Sequence, residues 1–93
     1  MIALPTIHLN GTSPEALYES ACDALGTLRA AIKAVEATAP NGRDYYPQGD
    51  RALAIASYEH AERVRRLREV VAELETLAEH IADAPVQRIG GAR

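Results

Sequence analysis

The sequence predicts a mainly α-helical protein, an antiparallel two-helix hairpin with a short N-terminal strand, assembled as a homo-oligomer. Three observations lead there. Two long stretches rich in Ala, Leu, Glu and Arg carry apolar residues at alternating steps of three and four, the spacing of one helix face. Between them, "PNGRDYYPQG" at 40–49 concentrates the Pro, Gly and Asn that end helices and turn chains. The chain has 93 residues, is 47% apolar and has no Phe or Trp, so it forms one small domain in which two helices share a single seam, too little core for a lone copy.

The elements follow in order. In residues 1–13, Ile2, Leu4, Ile7 and Leu9 are apolar, and Thr6 to Leu9 alternates as a strand does, with Pro5 confining it to an edge or a strand start. Its partner is either the same segment of another subunit or the C-terminal "PVQRIGG", anchored by Val86 and Ile89. Asn10-Gly11 turns the chain. Thr12, Ser13, Pro14 and Glu15 then form a helix start, with a hydroxyl cap, a proline whose missing N–H costs nothing there, and an acid favoured by the helix dipole. Thr12 and Glu15 have the spacing of a capping box. The first helix spans 14–39 with the seam Tyr18, Ala21, Leu25, Leu28, Ile32, Val35 and Ala39. Gly26 costs it about 1 kcal/mol relative to alanine and marks a close helix contact. Pro40 and Asn41-Gly42 end it.

The second helix spans 50–83, capped by Asp50 and stopped by Pro85, after which 85–93 forms a flexible tail. Its seam is Leu53, Ser57, His60, Val64, Leu67, Val71, Leu74, Ala78 and Ile81, with Val70 and Leu77 widening the apolar stripe in the second half. At 1.5 Å per residue the helices are roughly 39 and 51 Å long. A symmetric hairpin therefore leaves the last two turns of the second helix overhanging, and Val70, Leu74, Leu77 and Ile81 form the expected oligomer interface. The same arithmetic sets His60 near Leu28 and Ile32, as a core or interface histidine rather than a catalytic one.

Charge and composition narrow the function classes. Ten basic and thirteen acidic residues give a net charge of -3, the wrong sign for general nucleic-acid binding. The arginine-rich "RVRRLRE" interleaves with acids, so Glu59–Arg63, Glu62–Arg66 and Arg65–Glu69 read as ion pairs on a solvated helix. The other reading gives Arg63 or Arg66, with Arg29 or Lys33, to an anion site between subunits. One cysteine, Cys22, excludes an internal disulfide, and His8, His60 and His80 lack zinc-site spacing, so no metal and no cofactor is expected. No nucleophile elbow, phosphate-cradling loop or carboxylate pair suggests an enzyme. No membrane span and no signal-peptide pattern is present, and a single free thiol suits the cytoplasm.

The 40–49 segment carries the candidate site: Asn41, Gly42, Arg43, Asp44, Tyr45, Tyr46 and Gln48. Turn amides at Asn41 and Gly42, the planar fork of Arg43 and the flat faces of Tyr45 and Tyr46 could together hold a phosphate-bearing, nucleotide-like ligand. Gln48 would read a polar edge, and Asp44 would accept from a ribose hydroxyl. The plainer reading has Asn-Gly making the turn, Pro47 and Gly49 shaping its exit and the tyrosines closing the end of the hairpin.

The segments "IHLNGTSPEAL" and "APNGRDYYPQG" resemble small proteins encoded by tailed bacteriophages and prophages, over about Thr6 to Asp83. That resemblance implies a short N-terminal strand, a helix, an N-G-R-D-Y-Y-P loop and a second long helix, in the cytoplasm of an infected or lysogenic bacterium. Short oligomeric phage proteins include sponges that sequester nucleotide-derived immune signals. The expectation is therefore a non-enzymatic anti-defence protein binding such a molecule, the alternative being a protein-interaction module that serves phage assembly or inhibits a host protein.

Overall fold

The computed structural model describes residues 2–87. Within them lie three helices, α1 (Pro14–Glu36), α2 (Gly42–Tyr45) and α3 (Ala52–Asp83), with a 3-10 turn at Tyr46–Gln48 between α2 and α3. α1 and α3 form an antiparallel hairpin. Helix α1 starts where the sequence says, but the cap is Ser13, whose hydroxyl accepts from the Ala16 N–H at 3.1 Å, and not Thr12. It ends at Glu36, three residues short of expectation, and the Ala37 N–H still bonds the Lys33 carbonyl as the helix unwinds. Asp50 does not cap α3. The residue preceding that helix is Arg51, which makes no side-chain capping bond.

The seam differs from the predicted one at its ends. Ala21, Leu25 and Ile32 of α1 are buried as expected, but Tyr18 is 44% exposed and Leu17 takes the half-buried place. On α3, Ala78 and Ile81 are buried and Leu67, Val71 and Leu74 are half-buried, whereas Ser57 faces solvent and Ala56 turns inward instead. Ala21, Leu25 and Ala78 pack together with Val71 and Leu74 around them. Gly26 marks no close contact. A Cβ there would meet nothing within 4 Å.

Two ion pairs read out the register directly. Arg29 bonds Glu75 at 2.6 Å and Glu36 bonds Arg68 at 2.5 Å, one heptad apart on each helix. The end of α1 therefore faces Arg68. Residues 52–67 of α3, about 24 Å of helix, have no α1 across from them. This overturns the symmetric hairpin: the unopposed part of α3 is its first half, not its last two turns, and His60 lies far from Leu28 and Ile32. Hydrophobic burial gives the reason. Leu67, Val71, Leu74, Ala78 and Ile81 offer α1 more apolar area than Ala52, Ala56, His60 and Val64 do, and area removed from water is what α1 gains by docking.

The last turns of α3 are covered by the N-terminal segment. Ile2 and Leu4 sit beside Ala72, Glu73 and Thr76. Farther along, the His80 ring nitrogen Nε2 donates to the Pro5 carbonyl at 2.6 Å, and the Gln87 N–H donates to the Ile7 carbonyl at 2.7 Å. Ile7 is only 1% exposed. The segment runs parallel to α3 and makes one parallel bridge, His8 to Gln87, so the expected strand is reduced to a single paired residue among those described. Its partner is the chain's own "PVQ", and the predicted flexible tail is tied down as far as Gln87, with the remainder, including Ile89, outside the described residues. The Asn10-Gly11 turn forms as predicted, closed by the Gly11 N–H on the His8 carbonyl at 3.1 Å.

Two substitutions test this packing by circular-dichroism melts. Ile7→Ala removes the most deeply buried side chain and should lower stability by about 2–4 kcal/mol; an unchanged midpoint would mean that the segment is not docked. Gly26→Ala should raise stability by about 0.5–1 kcal/mol, because alanine fits the open helical position and restricts the unfolded chain.

Candidate functional site

The 40–49 connection is an ordered structure with its own cap. Asn41 has an extended backbone, and its side-chain oxygen accepts from the Arg43 N–H at 3.0 Å while its carbonyl accepts from the Asp44 N–H at 3.0 Å. Asn41-Gly42 is thus a helix start and not a turn, and neither residue has a positive φ. Pro47 fits the opening of the 3-10 turn, where a missing N–H costs little. Gly49 leaves that turn at φ 110°, a conformation L residues rarely adopt, and its N–H bonds the Tyr46 carbonyl at 3.1 Å. The position a Cβ would take on Gly42 lies 3.6 Å from Leu53, which seats α2 on the first turn of α3.

This scaffold sorts the seven candidate residues. Asn41 and Gly42 shape the backbone, and Tyr45 is half-buried. Arg43, Asp44, Tyr46 and Gln48 point outward, Tyr46 at 75% exposure. Arg43 forms no salt bridge among the described residues. The four residues sit on the tip where α2 and the 3-10 turn pack beside the start of α3, on a rod whose extents are 72 × 22 × 16 Å. The clefts on the rod's flanks take no residue from 41–48.

Those clefts lie along the shaft. One of about 450 Å³ runs between the helices over Ile32, Val71 and Ala72, with Lys33 set between the Arg29–Glu75 and Glu36–Arg68 pairs. Another, of about 420 Å³, continues it past the end of α1 over His60, Ala61 and Val64. A third, of about 530 Å³, lies between the N-terminal segment and the end of α3. All are open grooves.

The arginine-rich stretch of α3 pairs differently from expectation. Arg65 bridges Glu62 at 3.0 Å and Glu69 at 2.6 Å, and these acids, Glu62 first, hold its guanidinium above its ordinary pKa. The expected Glu59–Arg63 and Glu62–Arg66 pairs do not form, so Glu59, Arg63 and Arg66 carry no ion pair among the described residues. On α1 the exposed Cys22 thiol, one turn from Tyr18, raises the Tyr18 phenol above its ordinary pKa.

The expected oligomer face is divided by the fold. Leu74 joins the inter-helix cluster and Ile81 is buried, so neither is open to a second copy. Leu77 is half-buried, and Val70 remains 44% exposed. On the unopposed half of α3, Ile55 at 57% and Tyr58 at 67% are exposed apolar residues, Tyr58 in place of a packing role, and Leu53, expected in the seam, is 36% exposed. The signal for Ile55 and Tyr58 is present in the sequence: each lies off the seam spacing and yet is large and apolar.

No group of three His, Cys, Asp or Glu is arranged to hold a metal among the described residues, and no helix there is long and apolar enough to cross a membrane. No protein-family model, curated protein or solved structure matches this chain.

The cap makes a direct prediction. Asn41→Ala should weaken the local structure by about 1 kcal/mol, so that amide exchange at Arg43 and Asp44 speeds up about fivefold, while Asn41→Asp retains protection. Equal exchange in all three proteins would show that the cap does not hold the tip.

Proposed function

We propose that the chain is a non-enzymatic interaction module that presents a rigid tip, Arg43, Asp44, Tyr46 and Gln48, to another polypeptide. One observation carries this reading: Tyr46 is three-quarters exposed on a capped, hydrogen-bonded turn. An aromatic side chain held in water on an ordered backbone has little conformational entropy left to lose, and tyrosine and arginine beside each other are the side chains that anchor protein interfaces. The shape of the tip supports a macromolecular partner. The grooves along the shaft take no residue from 41–48, whereas a small molecule binds best where most of its surface is covered. With the resemblance of the connection to small phage proteins, the partner on this reading is a phage or host protein met during infection.

The test is co-purification from infected cells, identification of the captured protein and reconstitution from purified components. Tyr46→Ala and Arg43→Glu should each abolish that reconstituted complex while leaving the helical circular-dichroism signal unchanged. A complex that survives both substitutions would overturn the reading.

A second reading, sequestration of a nucleotide-like signal, rests on Arg43, without an ion pair among the described residues, three positions from the open ring of Tyr46. Thermal shift separates the two. A ligand at 100 times its Kd adds about 2.7 kcal/mol, a rise on the order of ten degrees for so small a domain. A panel of cyclic di- and trinucleotides, cyclic ADP-ribose isomers, NAD and ATP that leaves both wild type and Arg43→Ala unmoved would sink this second reading.

A further inference from the structure

Helix α3 carries a second exposed surface, along the shaft and away from the tip. Ile55, Glu59, Glu62, Arg63, Arg66 and Val70 are spaced by three and four to either side of the adjacent pair Glu62 and Arg63, so they form one stripe on the helix about 22 Å long. By helical angle this stripe lies roughly a quarter-turn from the seam that faces α1. It ends beside Glu73, where Ile2 of the N-terminal segment begins to cover the helix. Ile55 and Val70, at its two ends, are 57% and 44% exposed. Glu59, Arg63 and Arg66, in its middle, are exposed and take no ion pair among the described residues, although acids and bases lie one turn apart and the neighbouring Arg65 holds two.

The order of residues along the stripe is self-complementary. Laid antiparallel on a copy of itself, with a two-fold axis between residues 62 and 63, Ile55 meets Val70, Glu59 meets Arg66 and Glu62 meets Arg63. Each contact occurs twice by symmetry. Apolar faces apolar at both ends, and every charge in the middle faces its opposite, Glu62 while half-buried and also held by Arg65 of its own helix. Sliding the copy until Glu59 meets Arg63 loses the match, because Glu62 then faces His60, Arg66 faces Ala56 and Ile55 faces Leu67 of the inner seam.

From this we infer that the partner for this stripe is a second copy of the chain, in a two-fold antiparallel α3–α3 dimer centred between Glu62 and Arg63. Isologous pairing of this kind is the commonest route to a homodimer, and antiparallel helices at a shallow angle pack ridges into grooves over such a length. The surface available agrees. The chain exposes 6874 Å² for a mass of 10.0 kDa, where a globular monomer of that mass exposes about 5,200 Å². Residues 55–66 of the stripe belong to the half of α3 that α1 leaves unopposed, and pairing there gives that half a helical neighbour. The inference is independent of the tip's partner, since the contacts it names, between residues 55 and 70 of α3, involve no residue of 41–48.

Charge reversal tests it with its own control. Sedimentation velocity across a range of concentrations should show a dimer for the wild type. Glu59→Arg and Arg66→Glu should each weaken the dimer by at least about tenfold, because each sets two like-charge contacts across the axis. The double variant Glu59→Arg, Arg66→Glu should recover the dimer, since the pairs are restored with their signs exchanged. Both sites are on the surface, and circular dichroism verifies that each variant stays helical. A wild type that stays monomeric, or a dimer indifferent to the single reversals, or a double variant no better than the singles, would overturn the proposal.

Discussion

The register between α1 and α3 governs everything else in this molecule. A helix that docks by burying apolar area goes where its partner has the most to offer, and on α3 that is the run from Leu67 through Val71, Leu74 and Ala78 to Ile81. Choosing that half forces a connection of residues 37–51 to reach back along α3 to its start. The entropic cost is small, because closing a loop twice as long adds only about 0.6 kcal/mol. The Arg29–Glu75 and Glu36–Arg68 pairs follow the register and do not set it. Their side chains are about half exposed, and ion pairs in that setting contribute little.

Two consequences come from that choice. At one end, α3 would present Ala78 and Ile81 incompletely covered, and residues 2–9 complete the cover by lying along the helix with Ile7 as their anchor. This makes the N-terminal segment part of the core and not a strand awaiting a partner. At the other end, α3 runs on alone beneath a thin connection. Among the described residues the buried set is six side chains, three of them isoleucines, which is a small core for a radius of gyration of 20.3 Å, where a compact chain of this length would have about 12 Å. A rod with so little interior gains most from contacts outside itself.

Local chemistry was legible in the sequence and long-range placement was not. Pro14 after a hydroxyl cap, Pro85 after the last turn, the Asn10-Gly11 turn and the three-and-four spacing of both helices all depend on neighbours within a few positions, and they appear as read. The register depends on comparing two halves of α3, and a symmetric hairpin built from loop length alone put the overhang at the wrong end. Tyr18 and Leu17, like Ser57 and Ala56, are adjacent residues that a modest change of helical phase exchanges, so periodicity alone left the inward member open. Arg65–Glu69 forms as read, and the other two expected ion pairs went astray for a related reason. Arg65 has an acid on either side within reach and takes both, leaving Glu59, Arg63 and Arg66 to solvent.

At the tip, the same division between shaping and exposed residues decides how far a functional argument can go. Asn41 is consumed as a cap, Pro47 by the 3-10 turn and Gly49 by its positive φ. The density of unusual residues at 40–49 is therefore mostly the requirement of an ordered, four-part connection. Tyr46, Arg43, Asp44 and Gln48 remain, and nothing in the backbone requires their side chains. Tyr46 leaves the largest share of an aromatic ring in water, 75%, so the case for recognition at the tip rests on Tyr46 more than on the glycine and asparagine that first make the segment conspicuous.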